Sequence, residues 1–207
     1  MKNYTDSDQY TFDTVPIDLI DLYEQKKEML WKHTPEKAST YADAINYLML
    51  KHHIDYNIIQ EFIEKGMLWQ GKYRKTIEFP IITERNDIVA IEAVNYNNQG
   101  CYRTSQVYGY GFSYLAGDAV NWIVFVKSAI ELMSLYQLRK SALVQAGCLL
   151  VSTCGVSPTV IARYKSLYPH AQWCIAFYPN RTEKHTLDKY FNNIRWKLPD
   201  TAYKKME

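Results

Sequence analysis

The sequence predicts an α+β N-terminal part, helices plus a β-hairpin, followed by an α/β unit with a mainly parallel sheet covered by helices. Three observations carry this. Apolar residues recur at helical spacing up to Gly66. The pattern then switches to period two across Thr76–Asn95. From Val120 onward, short apolar runs alternate with helical stripes in the order β–α–β–α–β–α, which favours parallel strands. The expected divisions are a flexible arm (1–15), a helical region (16–66), a hairpin subdomain (67–118) and the α/β unit (119–207).

The 207 residues are 47% hydrophobic and 22% charged, ordinary for a soluble globular chain. No apolar run approaches the roughly 18 residues a membrane helix needs. The polar start, Met1–Asp13, is unlike a signal peptide, so a cytoplasmic location without membrane contact is expected. Cys101, Cys148, Cys154 and Cys174 form no CxxC pair and read as small buried thiols. Charge is uneven. Residues 1–66 hold 7 Lys/Arg against 12 Asp/Glu, and residues 67–207 hold 17 against 10. The basic C-terminal part permits contact with phosphates. Eighteen tyrosines suit half-buried packing and also stacking on bases.

Taken in order, Pro16 opens a helix over Ile17–Trp31, ended by His33-Thr-Pro35. A second helix is expected over about Glu36–His52, with Tyr41, Ala42, Ile45, Leu48 and Met49 at helical spacing. Asp55 caps a third, whose stripe is Ile58, Ile59, Phe62 and Ile63, and Gly66 closes it. His52 and His53 read as exposed helix-terminal residues. Thr76–Thr83 and Ile88–Asn95 form a hairpin around Glu84–Asp87, with Pro80 marking an edge or a bulge. Gly109 and Gly111 sit in an aromatic run and lack the strand and third glycine of a dinucleotide fingerprint.

The α/β unit opens with a strand, Trp122–Val126, and a helix, Ser128–Arg139. Cys148–Thr153 is the second strand. Gly155 turns the chain, Ser157 caps and Pro158 opens the next helix, striped by Val160, Ile161, Tyr164, Leu167 and Tyr168. Trp173–Tyr178 is the third strand and Thr182–Asn193 the last helix, with a short final strand at Arg195–Leu198. Open α/β sheets place ligands at the carboxyl ends of their strands. Lys127 stands at the first such end.

Histidines lack a nucleophile or carboxylate at motif-like spacing, and Ser113, Ser128 and Ser157 lack a G-x-S-x-G context. Cys154 sits at a strand end but reads as a structural thiol.

The order of parts resembles Toprim-containing proteins related to DnaG-type primases, especially the small branch found with plasmid mobilisation and replication genes. The likeness runs over residues 38–193. It is carried by Tyr47–Gly66, by Ile77-Glu-Phe-Pro-Ile81 with Ile88–Val94, and by Tyr110-Gly-Phe-Ser113. Further on it is carried by Val124-Phe-Val-Lys-Ser-Ala-Ile-Glu131, Cys148–Gly155 and Trp173–Arg181. Such proteins are expected to end the first Toprim strand in Glu and the third in Asp-x-Asp, carboxylates that hold Mg²⁺. Here Lys127 stands at the Glu position, and Tyr178-Pro179-Asn180 at the Asp-x-Asp positions.

An ammonium repels a cation that wants carboxylate and water oxygens, and two-metal phosphoryl transfer needs dense negative charge. The resemblance therefore implies a catalytically degenerate protein, a pseudoenzyme of a plasmid or other mobile element. It would act as a nucleic-acid-binding or accessory factor in replication or mobilisation, with no cofactor. Its partners would be DNA or RNA, or a protein of that machinery. Glu131 remains as a residual acid, suited to the first turn of its helix or to pairing with Lys127.

Lys127 either binds phosphate directly, aided by the helix N-terminus, or is drift that snorkels to solvent. Arg181 would add a second charge. Arg103, Arg139, Lys140, Arg163 and Lys165 are candidates for a wider basic surface, and each alone also fits an ordinary surface charge. Two alternatives stand beside this reading. One is a protein-interaction module or inhibitor using the same scaffold. The other is an Mg²⁺-dependent primase or nuclease with carboxylates relocated to Glu131, Asp118 or Asp188.

Overall fold

The computed structural model describes residues 36–72, 75–96, 101–103, 109–177 and 180–190. The expected arm at 1–15, the first helix and the final short strand lie outside these residues.

Two helices come first, α1 (Ala42–His52) and α2 (Tyr56–Glu64). The first starts later than its periodicity suggests, because Lys37 forms an isolated antiparallel bridge with Gly71. Residues before Tyr41 thus serve a sheet edge instead of a helix. The second helix begins after Asp55, whose backbone is extended as a cap requires, although its side chain makes no capping bond. His53 adopts left-handed backbone geometry and is exposed, whereas His52 is half-buried with its ring 5.1 Å from that of Tyr47. The expectation of two exposed histidines fails at His52, because the last turn of α1 packs that ring inward.

The first sheet has the order β1 (Trp69–Gln70), β2 (Thr76–Ile82), β3 (Ile88–Asn95) and β4 (Cys101–Arg103), all antiparallel. Pro80 is tolerated because β1 reaches only Ile77 and Glu78 and leaves β2 an edge at Pro80. The register also shifts between Ile81 and Ile82. One face carries Ile77, Phe79 and Ile81. The other carries Glu78, which is buried and accepts from Trp69 Nε1 at 2.6 Å and Thr76 Oγ1 at 2.8 Å.

The second sheet has the order β5 (Ser113–Ala116), β7 (Cys148–Ser152), β6 (Trp122–Val126), β8 (Gln172–Ile175). Pairings of β6 with β7 and with β8 are parallel, and β5 runs antiparallel to β7. The sheet is therefore mixed. Ser113–Ala116, grouped by sequence with the hairpin, pairs here because Gly111 lets the chain run against Ser152. A Cβ on Gly111 would sit 2.1 Å from the Ser152 carbonyl oxygen.

Helices α3 (Ala129–Ala146), α4 (Pro158–Leu167) and α5 (Arg181–Tyr190) follow β6, β7 and β8. The third runs past its expected end at Arg139, where φ −133° and ψ 16° mark a kink the chain continues through. Strand alternation sorts the core. Val124, Val126 and Leu150 face α3 and the first sheet, in one cluster with Phe79, Phe112 and Tyr136. Ile123, Phe125 and Val151 face α4 and α5, with Val160, Ile161 and Leu187. The first sheet thus lies against the α3 side of the second, and its inward face sees the head of α3.

Candidate functional site

The carboxyl ends of β6, β7 and β8 meet at one edge, and backbone bonds knit the turns there. Thr153 N donates to Val126 O at 2.8 Å, Gly155 N to Lys127 O at 2.8 Å, and Ala176 N to Phe125 O at 2.8 Å. Lys127 is half-buried, and its ammonium lies 5.5 Å above the Phe177 ring centroid. Asn180 and Arg181 are exposed, and the Asn180 carbonyl accepts from Lys184 N at 2.8 Å as α5 begins. Tyr178 lies outside the described residues.

Several groups at the head of α3 are bonded within the chain itself. Ser128 Oγ accepts from Glu131 N at 3.2 Å, and Glu131 Oε2 accepts from Lys127 N at 3.0 Å, a close relative of the capping box. Ser128 O accepts from Leu132 N at 2.9 Å. The Ala129 N–H donates at 2.7 Å to Glu92 Oε1, and Ser152 Oγ donates at 2.6 Å to Glu92 Oε2. Glu92 is 0% exposed and comes from β3, across the junction between the two sheets.

Sequence reasoning missed this carboxylate. The available signal was a single acid on the inward face of an otherwise apolar strand, at the alternation Ala90, Glu92, Val94. Of the first-turn donors of α3, Ala129 N is engaged by Glu92 and Glu131 N by Ser128.

The remaining basic candidates fall in different places. The β3–β4 register sets Arg103 opposite Glu92. Lys140 lies eleven residues along α3 from Ala129, roughly 16 Å at helical rise. It donates to Glu61 Oε2 at 2.7 Å. Glu61 also accepts from Lys65 at 2.9 Å, Tyr114 OH at 2.6 Å and Tyr136 OH at 2.9 Å. Burial pushes this carboxyl up, but the four donors, Lys140 foremost, outweigh it and hold the pKa at about 2.

Arg163 on α4 donates to Glu84 at 3.1 Å and to the Tyr110 hydroxyl. Burial first, and then the bond to Glu84, push the Tyr110 phenol upward. Lys165 sits 4.3 Å over the Trp173 ring, and Arg139 marks the kink. Of the seven cations proposed from sequence, Lys127 stands at the strand-end edge and Arg181 at the start of α5, the helix that follows β8.

The carboxylates named for relocated metal chemistry do not converge. Glu131 is engaged in its own turn. Asp118 precedes β6, at the opposite end of a five-residue strand from Lys127, a separation of roughly 16 Å. Asp188 lies seven residues into α5 from Arg181, roughly 10 Å away. Among the described residues no three His, Cys, Asp or Glu side chains group as a metal site. Cys148 and Cys174 are buried, and burial pushes both thiols up, Cys174 to about 11.

No protein-family model and no curated protein matches the chain. Among solved structures it is similar to a DnaG catalytic core, with 14% identity and a TM-score of 0.47 over 83% of this chain and 66% of that one. A DnaG primase catalytic domain bound to ssDNA matches with 13% identity and a TM-score of 0.44, over 81% of this chain and 65% of that one. A DNA primase domain from Pseudomonas aeruginosa matches with 14% identity and a TM-score of 0.41, over 75% and 50%. The chain thus spans less than two thirds of the length of these neighbours. No described helix is long and apolar enough to cross a membrane.

Proposed function

We propose that this protein is a non-catalytic, Toprim-like nucleic-acid-binding or accessory factor, serving DNA replication or the mobilisation of a plasmid or other mobile element. In it a fixed cation at the strand ends stands where a metal cluster would otherwise sit. The observation that carries this reading is Lys127, at the end of the central strand β6 with its ammonium over Phe177. A lysine there offers a phosphodiester a point charge without any metal. Glu131, the acid nearest in sequence, accepts a bond from the Lys127 backbone within its own turn, an arrangement suited to helix capping. Arg181 extends the positive edge. Coordination of Mg²⁺ would require several oxygen ligands to converge, and the sequence supplies Lys127, Tyr178 and Asn180 at those positions.

The test is fluorescence anisotropy with a labelled single-stranded oligonucleotide in low salt and EDTA. Binding is expected, with Lys127→Glu weakening it about tenfold or more. Absence of binding at low salt, or a Lys127→Glu protein that binds like the wild type, rejects the reading. Recovery of one stoichiometric protein partner with no nucleic acid would support the interaction-module alternative.

A further inference from the structure

Helix α3 is held at three places. Its head donates from Ala129 N to Glu92 of the first sheet at 2.7 Å. Its tail ends at Gly147, where Asn121 Nδ2 donates to Ala146 O at 3.2 Å. Between them, the α1–α2 pair grips a single turn, residues 136–140. Gln137 uses both ends of its amide on the turn that joins α1 to α2. Its Oε1 accepts from Asp55 N at 2.6 Å and its Nε2 donates to His53 O at 3.0 Å. Tyr136 OH and Lys140 Nζ donate to the two carboxylate oxygens of Glu61, at 2.9 and 2.7 Å. Arg139, whose backbone leaves the helical region, lies within that turn. Neither proline nor glycine stands at 136–140 to break the helix. A residue outside its helical basin costs energy, so its surroundings must hold it there. A helix fixed at both ends and gripped in its middle turn takes up any mismatch at that turn.

We infer that the α1–α2 pair imposes the kink in α3, and that the Glu61 clasp is the part of this hold that ionic conditions release. The Gln137 bonds are neutral, and salt barely alters them. The Glu61 bonds join a carboxylate to lysines about half exposed, 51% for Lys65 and 49% for Lys140, where mobile ions screen the attraction. With the clasp screened, Arg139 gains the freedom to close a regular helical turn. The bend in α3 is thereby a strap set by ionic strength. Packing of the Phe62 ring against Tyr114 and Tyr136 keeps α2 in place when the strap loosens.

Nuclear magnetic resonance of the full chain reads the backbone of Arg139 directly. The HN–Hα coupling and the Cα shift separate its φ of −133° from the helical value of about −63°. In a chain carrying both Gln137→Ala and Lys140→Gln, both readings should move to helical values. Glu84→Gln, which weakens the Arg163 pair on α4 and leaves α3 untouched, should not move them. In the wild type, raising the salt to about 1 M should carry them part of the way, because only the clasp is screened. Lys140→Gln alone keeps the Gln137 bonds, and with them the fold, and should give that partial shift already at low salt. Non-helical readings that persist in the double variant would overturn the imposed kink, as would an equal shift in Glu84→Gln. Readings that ignore both salt and Lys140→Gln would overturn the strap, since the clasp would then take no part in the hold.

Discussion

Two carboxylates tie the N-terminal part to the α/β sheet, and they work in different surroundings. Glu92 is buried completely and accepts from a backbone N–H and a serine hydroxyl. Glu61 is 21% exposed at its side chain and accepts from two lysines, about half exposed, and two tyrosines. The first is a tie whose strength comes from the cost of leaving buried donors without their acceptor. The second is a clasp made of charges that water and salt can reach. The contrast also explains where the basic residues went. Lys140 is spent with Lys65 on the Glu61 clasp and Arg163 on Glu84, so these two basic candidates serve the fold.

Breaking the buried tie should have the larger effect. Glu92→Ala leaves the Ala129 N–H and the Ser152 hydroxyl without their acceptor in a closed space. The expected cost is about 3 kcal/mol, or a fall in melting temperature of roughly 10 °C, read by thermal denaturation. A loss below about 1 kcal/mol would place Glu92 in water, contrary to its burial.

The clasp should respond to acid and to salt. In the unfolded chain Glu61 titrates near 4.5, and in the fold its pKa lies at about 2. The native state therefore binds fewer protons, so the clasp contributes fully above pH 4.5 and is lost as the pH falls toward 2. Solvent screening of the half-exposed lysines limits its worth to about 1–2 kcal/mol. Glu61→Gln should flatten the acid limb of the stability curve by that amount and reduce its salt dependence. An unchanged acid limb would show that the lysines hold nothing.

Much of the fold was legible because it rests on local periodicity. Trp122–Val126 and Ile88–Asn95 are strands at the bounds their patterns predict. What escaped depends on contacts far apart in sequence. Glu61 looks like an exposed helical acid until Tyr114, Tyr136 and Lys140 arrive from 53 to 79 residues away. Glu92 looks like an odd charge in a strand until Ser152 is packed against it, 60 residues on. The kink at Arg139 has no sequence signal, since no proline or glycine marks it. At the candidate site, Lys127 and its position at a strand end were readable. The direction of its side chain toward β8 and the occupied head of α3 required the tertiary structure.

The proposal that a fixed cation replaces a metal is tested most directly by measuring oligonucleotide affinity with and without Mg²⁺. The expected result is binding in EDTA that millimolar Mg²⁺ leaves unchanged or weakens, because free Mg²⁺ competes for the same phosphates. Raising the salt should weaken it too, with a slope of log K against log salt near −1.4 for two contacts on a single strand. Binding that disappears in EDTA and returns with Mg²⁺ would contradict it, since a metal and not Lys127 would then be holding the phosphate.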